Sequence, residues 1–123
     1  MDINQVIAFL EASDGSVPKL NNQLALLIRY SRHEILDEND KKKVKWFDPE
    51  MNEITKVPDF TGSIDAARIF LDKLVHPHAA GYAERQDGIF AQVDEFPPAK
   101  ATTIALAICI AALQAKRLQT AGR

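Results

Sequence analysis

The sequence has little of what several classes of protein require. One cysteine among 123 residues excludes an internal disulfide framework, so nothing indicates an oxidising compartment. Lys and Arg number 15 against 17 Asp and Glu, and the formal charge of −2 gives neither a basic footprint for nucleic acid nor a polybasic membrane patch. The opening MDINQVIAFLEAS lacks the basic n-region of a signal peptide. We therefore expect a cytoplasmic protein, with neither a membrane nor a nucleic acid as its partner.

What the sequence does contain is an ordinary globular composition and one long apolar run. Apolar residues are 46% and charged residues 26% of a chain that fits a single domain over 1–123. From Ala101 to Ala115 there is no charge, Gly or Pro; the run is too long for a strand and shorter than the roughly 20 residues that span a bilayer. Because this run is apolar nearly all round, it predicts a helix buried on most sides, starting directly after Pro97 and Pro98.

The first part of the chain predicts two helices followed by a loop. The apolar stripe of the first helix, behind Asp2 as its N-cap, is Ile3, Val6, Ile7 and Leu10. A second helix is predicted from Lys19 to about Tyr30, and the short turn between the two indicates an antiparallel helical hairpin over residues 1–30. Charges of both signs without periodicity over residues 31–43 predict a flexible charged loop.

Residues 44–118 predict a ββαββα core. A strand at Val44–Phe47 returns as Ile54–Val57 through the turn DPEMN, and a helix follows with Ser63 as its N-cap. Asp87-Gly88 is the strongest short hairpin signal in the chain. The full order, ααββαββα, indicates an α+β fold in which a small, mainly antiparallel sheet is covered by helices.

Several stretches, taken in order, resemble segments of a known family. VPDFTGSIDAARIFLDKL resembles the P-x-Y/F-T/S-x-S-I/L-D-A-A segment of the phage ABA sandwich domain family, small phage and prophage proteins of unknown function. ATTIALAICIAALQAKR is similar to the family's closing helix, and WFDPEMNEI to its tryptophan-bearing hairpin. SVPKLNNQLALLI resembles a helix near the family's start, although members often have Gly and an acid where this chain has Asn21 and Asn22. The resemblance, over residues 16–118, implies an α–β–α sandwich from a phage or prophage, in a bacterial host's cytoplasm, and it brings no catalytic residues.

His76-Pro77-His78 is the most metal-like feature. In an extended segment both imidazoles point the same way, and imidazole is a common ligand of zinc and nickel. Zinc needs further ligands, which only a recruited side chain such as Glu84 or Asp72 would supply, because the sequence has no cysteine pair and no HExxH helix. A polar helix exit explains the two histidines, and we expect no metal and no other cofactor.

Two further patterns have structural explanations. Cys109 would need His33, His76 or His78 as a base, but it lies in the middle of the apolar run, where cysteine behaves as a small hydrophobic residue. The stretch from Lys41 to Phe47 interleaves basic and aromatic residues as single-strand nucleic-acid binders do. Lysines that protect an edge strand whose tryptophan packs inward give the same pattern.

These patterns favour a non-enzymatic protein that binds another phage or host protein, or itself. The sequence has no convergent catalytic set, and its last helix is apolar on more sides than a small monomer covers, which suggests a homodimer through helices or a sheet edge. The alternative is a protein that binds a small nucleotide-like signal at a protomer interface. Its candidate ligand-binding residues are Tyr82, Arg85 and Phe90, because an Arg and aromatic rings together hold a phosphate and a base.

Overall fold

Four helices and six strands make up the fold. The structure, a computed structural model, describes residues 1–121. The elements are α1 (Ile3–Glu11), α2 (Pro18–Leu27), β1 (Ser31–Leu36), β2 (Lys42–Phe47), β3 (Glu53–Ile54), α3 (Ile64–Val75), β4 (Ala80–Arg85), β5 (Gly88–Val93), β6 (Ala99–Ala101) and α4 (Ile104–Ala121). The predicted α+β class and the order of helices and hairpins are confirmed, with β1 and β6 as additional strands. Within residues 1–121, no helix combines the length and the hydrophobicity needed to cross a membrane.

The strands form two separate antiparallel sheets, where the sequence predicted one. In the first sheet, β2 lies between β1 and β3, and Trp46 is opposite both Arg32 and Ile54. In the second sheet, β5 lies between β4 and β6. The predicted hairpin after Trp46 therefore exists, with a return strand of only two residues.

Helix α4 is the centre of the core, as its apolar composition predicts. Helices α1 and α3 and strands β5 and β6 all pack against it, and its side chains from Ala105 to Leu113 are buried without a break. The helix begins later than predicted, at Ile104, because residues 99–101 pair with β5 instead. The Thr103 hydroxyl accepts a hydrogen bond from the Leu106 N–H (3.2 Å), which satisfies one of the free donors at the start of the helix.

Both N-terminal helices form, but the predicted helical hairpin is wrong. Asp2 and Gln5 make a capping box at α1, and Pro18 occupies the first turn of α2. Helix α1 packs against α4 and β6, whereas α2 contacts α3 and β1, and the two do not pack along each other. The segment between them is held elsewhere: the Thr102 hydroxyl donates to the Ser13 carbonyl (2.9 Å).

The predicted charged loop at residues 31–43 is also corrected, because it contains β1 and the start of β2. Only residues 37–41 form the turn, where the Asp37 carboxylate accepts hydrogen bonds from the N–H groups of Asn39 and Lys41. Nearly every residue of β1 is exposed, so the sequence shows no alternation of buried and exposed positions. We call this hairpin of β1 and β2 the arm; the main contact of β1 with the helices is to α2.

A polar network around Asn21 holds residues 59–61, in the segment that leads into α3. The Asn21 amide donates to Asp59 Oδ1 (2.8 Å), and its carbonyl oxygen accepts from the N–H (2.9 Å) and hydroxyl (2.8 Å) of Thr61. Ser16 also donates to Asp59 Oδ1, and this hydrogen bond is the main cause that lowers the pKa of that carboxyl below its ordinary value. A Cβ at Gly62 would collide with the Asp59 carboxylate, so the turn requires glycine.

Candidate functional site on the second sheet

The Asp87-Gly88 hairpin forms as predicted and gives the second sheet its shape. Strands β4 and β5 pair from Ala80 opposite Val93 to Arg85 opposite Gly88. Gly88 has φ +142°, a conformation that side-chain-bearing residues rarely adopt, and a Cβ there would meet Lys100 Cε at 2.5 Å. Glycine at this position therefore lets the Lys100 side chain lie across the end of β5.

Phe90 lies between two cations on the face of this sheet that no helix covers. The Arg85 guanidinium carbon is 5.0 Å from the centre of the Phe90 ring, and Lys100 Nζ is 5.9 Å from it. Lys100 and Phe90 are opposite each other in the β5–β6 register. Arg85 also forms an exposed ion pair with Asp87 (3.6 Å). We call Arg85, Phe90 and Lys100 the outer-face cluster; an aromatic face flanked by cations is suited to a planar, negatively charged ligand.

Tyr82 belongs to the other face of the sheet. It pairs with the buried Ala91, and side chains alternate along a strand, so Tyr82 points to the helix side while Phe90 points away. Tyr82, Arg85 and Phe90 nevertheless border one open groove of about 470 Å³ that runs past β4. The three candidate residues therefore border one groove, and their role in ligand binding stays a prediction. The sequence does not indicate Lys100 as a neighbour of Phe90, because β6 has no local signal.

The free edge of β4 is the most unusual feature of this region. All six of its residues are exposed, and within residues 1–121 it pairs with β5 alone. The Asp94 N–H donates to the Ala79 carbonyl (2.8 Å), and bonded pairs alternate along an antiparallel ladder. It follows that Ala80, Tyr82 and Glu84 direct their N–H and C=O groups away from β5.

A second recess lies on the helix side of β4. It has a volume of about 280 Å³ and is bordered by Tyr82, Leu71 of α3 and Ile108 of α4. Strand β4 therefore has open space on both faces as well as along its edge. This combination leaves room for a strand or a ligand beside β4 without movement of the core.

The histidine pair lies between α3 and β4. His76 ends α3 in the left-handed conformation (φ +53°), and the N–H of His78 donates to Asp94 Oδ1 (2.9 Å). Among residues 1–121, no three His, Cys, Asp or Glu side chains are grouped so that they could hold a metal ion. The structure places neither Glu84 nor Asp72 in such a group with the two histidines.

Cys109 is inside the core, where the sequence placed it. It is fully buried in α4, and its thiol donates to the Phe60 carbonyl (3.2 Å). Burial is the main cause that raises the pKa of the Cys109 thiol far above its ordinary value. Cys109 is therefore a packing residue of the core, and its hydrogen bond to Phe60 links α4 to the segment before α3.

The basic run from Lys41 to Phe47 is mainly strand β2. Lys42 and Lys43 are exposed, while Trp46 is partly buried against the core. Lys45 forms an ion pair with Glu53 across the neighbouring strand (3.2 Å). The predicted edge strand is the middle strand of its sheet, but β3 pairs only with Trp46 and Phe47, so the lysines lie on the part of β2 that has a single strand neighbour.

Comparisons of this chain with protein-family models, with curated proteins and with solved structures found no significant match. The functional argument therefore depends on the surfaces described above.

Proposed function

We propose that this protein acts by binding protein chains, without catalysis, as an accessory protein of the phage or prophage type that its motifs resemble. The observation that carries the proposal is the unpaired edge of β4, with all six residues exposed. Strand addition to such an edge supplies main-chain hydrogen bonds along the whole strand. The partner that we propose for this edge is a second copy of the chain. The protein would then act as a homodimer.

The other sheet edges carry features that discourage pairing, and β4 has few of them. Strand β1 carries the charged residues Arg32 and Glu34, and β3 is only two residues long. The part of β2 that β3 does not pair contains three lysines. Strand β6 follows Pro97 and Pro98, which have no N–H to donate. In β4, Ala80, Gly81 and Ala83 are small and neutral, and charges occur only at its end. A long unprotected edge is a template for another strand, which supports its burial in an assembly.

The sequence of β4 is compatible with pairing to itself. In an antiparallel pair centred on Tyr82, the outward-facing Ala80 meets Glu84 of the second copy, and Gly81 meets Ala83. No like charges are opposed in this register, and small side chains flank the two tyrosines. The two second sheets would then form one continuous six-stranded sheet with the helices of both copies on the same face.

Substitution of Glu84 by proline tests the proposal. The Glu84 N–H faces outward, so Glu84→Pro removes a donor from the free edge while it leaves the β4–β5 ladder intact. We expect the wild-type protein and Glu84→Ala to be dimers in native mass spectrometry and in light scattering after size exclusion. Glu84→Pro should be a monomer with an unchanged far-ultraviolet circular dichroism spectrum.

A second pair of variants keeps the test decisive if proline disturbs the fold. Tyr82→Lys would place two like charges opposite each other at the centre of the paired strands, whereas Tyr82→Phe would keep the packing. We expect the lysine variant to be monomeric and the phenylalanine variant dimeric. A wild-type protein that stays monomeric at high micromolar concentration, or a folded Tyr82→Lys variant that stays dimeric, would contradict self-pairing through β4.

A second candidate function is supported by the outer-face cluster. We propose that a nucleotide-like signal molecule stacks on Phe90 while Arg85 and Lys100 hold its phosphate, in the groove that Tyr82 borders beside the protomer interface. The cation positions around the ring, at 5.0 and 5.9 Å, support this placement. The Arg85 guanidinium is free to turn from Asp87 toward a phosphate, because an exposed ion pair is worth little.

A thermal-shift screen with cyclic nucleotides tests this second candidate. Stacking of a base on an aromatic ring contributes about 1–3 kcal/mol, so Phe90→Leu should abolish most of the shift produced by a nucleotide that binds. Phe9→Leu, at an exposed phenylalanine on α1, is the matched control and should leave the shift unchanged. A flat response of the wild-type protein to all cyclic nucleotides would rule the candidate out.

A further inference from the structure

A third recess, at the opposite end of α3 from the Ser63 cap, is bordered by basic side chains from three helical segments. It has a volume of about 550 Å³ and is bordered by Arg29 after α2, Lys73 and His76 at the end of α3, and Lys116 of α4. The buried side chains of Ile28 and Leu74 form apolar parts of its wall. We call this recess the basic cavity. Its size is within the range of small-molecule sites.

No carboxylate of residues 1–121 lies within ion-pair distance of the cations of the basic cavity. Among residues 1–121, ion pairs join Arg32 to Glu34, Lys45 to Glu53 and Arg85 to Asp87, and none of these residues borders the cavity. One acid, Glu50, lies at its rim without a cation within 4 Å. The nearby Asp48 carboxylate accepts hydrogen bonds from the Asn52 and Glu50 N–H groups of its own turn. The hydrogen bond from the Asn52 N–H and, to a lesser extent, the charge of Lys73 lower the pKa of Asp48, so Asp48 and Glu50 offset part of the positive charge. The three cations Arg29, Lys73 and Lys116 still outnumber these two acids where the segments meet.

The backbone at two of these residues is in a conformation that normally suits glycine. Arg29 has φ +72° directly after α2, and His76 has φ +53° at the end of α3. Helices commonly end in this left-handed conformation, but with glycine, because a Cβ is disfavoured there. At both positions this chain has a basic residue that borders the same cavity, and disfavoured conformations tend to occur at functional sites.

Neutralisation of helix ends explains only part of the arrangement. Lys73 and Arg29 lie near the C-terminal ends of α3 and α2, where cations are favourable, but this effect fades within the last turn of a helix. Lys116 lies more than one turn before the end of α4, and it is only partly exposed. Lys116 therefore adds a positive charge to the cavity that the end of its own helix does not explain.

We propose that the basic cavity binds a small phosphate-bearing molecule. Lys73, Lys116 and Arg29 contact the phosphate oxygens, His76 donates from the α3 side, and the apolar wall at Ile28 and Leu74 packs against the rest of the ligand. This site is distinct from the edge of β4 and from the outer-face cluster, so it does not depend on either proposed function.

Titration of the ¹⁵N-labelled protein with inorganic pyrophosphate and with adenosine monophosphate tests the site. We expect saturable shifts of the amide signals of Arg29, Lys73 and His76. Adenosine monophosphate should bind more tightly than pyrophosphate, because its nucleoside packs against the apolar wall. Lys116→Gln and Lys73→Gln should each weaken binding about tenfold, the effect of one lost hydrogen bond between charged groups. Shifts concentrated at the lysines of β2, unsaturable shifts, or an unchanged affinity in both variants would overturn the proposal.

Arg29→Gly separates this site from a purely structural role. Glycine suits φ +72°, so the variant should melt at the same or a higher temperature while its affinity for pyrophosphate falls. Asp40→Gly is the matched control, because Asp40 has φ +58° in the turn of the arm, far from the cavity. It should also melt at the same or a higher temperature, and it should bind pyrophosphate as the wild type does. If Arg29→Gly keeps the wild-type affinity, Arg29 is not part of an anion site and the proposal is wrong in its central contact.

Discussion

At the scale of single residues, Asn21 has the clearest structural role. Its side chain is 5% exposed, and both its donor and its acceptor are used, by Asp59 and Thr61 respectively. Thr61 is fully buried, so it depends on Asn21 for the hydrogen bonds of its N–H and its hydroxyl. The network thereby fixes the start of α2 to the segment that leads into α3.

Removal of this amide should destabilise the fold. Asn21→Ala leaves the Thr61 N–H buried without an acceptor, and such a loss costs about 1–3 kcal/mol. We expect a lower urea midpoint with an unchanged slope, measured by equilibrium unfolding. The exposed neighbour gives the control: Asn22→Ala should change the free energy of unfolding by less than about 0.5 kcal/mol. Equal effects of the two substitutions would mean that the network contributes nothing specific.

At the scale of elements, α4 shows why a helix rich in alanine lies at the centre of the core. Ala105, Ala107, Ala111, Ala112 and Ala115 are buried, so neighbouring elements approach the helix closely on several sides. A larger side chain at such a position would have to displace a whole neighbouring element. The helix therefore tolerates less change in volume than a helix with a single buried face.

Ala112→Leu tests this packing. The position is fully buried, and extra volume in a closely packed core costs about 1–3 kcal/mol. Thr120→Leu, at an exposed position on the same helix, is the control and should change the stability by less than about 0.5 kcal/mol. Urea unfolding measures both. A fully stable Ala112→Leu variant would show that this side of α4 is loosely packed.

Elements with a strong local signal were predictable from the sequence, and those defined by pairing were not. The Ser63 cap and the apolar spacing after it predict α3, and Asp87-Gly88 predicts the β4–β5 hairpin. Strand β1 was missed because both of its faces are exposed, so burial imposes no alternation on SRHEIL. Strand β6 was missed because its three residues follow two prolines and are strand only through their pairing with β5.

In the candidate sites, too, contacts within a local motif were predictable from the sequence and contacts between distant elements were not. Arg85 and Phe90 are close in sequence across a recognisable turn, so their contact was predictable. Lys100 joins them only through β6, which has no local signal. The basic cavity combines Arg29, Lys73 and Lys116 from separate helical segments, and no sequence spacing reports which helix ends meet.

At the scale of the whole molecule, the charged side chains are unevenly distributed over the surface. The net charge of −2 excludes a general attraction to polyanions, and it says nothing about local positive charge. Lysines are concentrated on the arm, and unpaired basic side chains surround the basic cavity. Any binding of anions by this protein should therefore be local and saturable instead of spread over its surface.

The central position of α4 also determines when the core can form during synthesis. The elements that pack on this helix, α1, α3, β5 and β6, all precede it in the chain, and Arg117 near its end donates to Asn4 (2.7 Å) near the beginning of α1. During synthesis on the ribosome, these earlier elements emerge with their apolar faces uncovered and cannot complete a core until α4 has followed. The packing of α4 is therefore a late step of folding. Before this step the nascent chain exposes its largest apolar surface, to which a chaperone would bind.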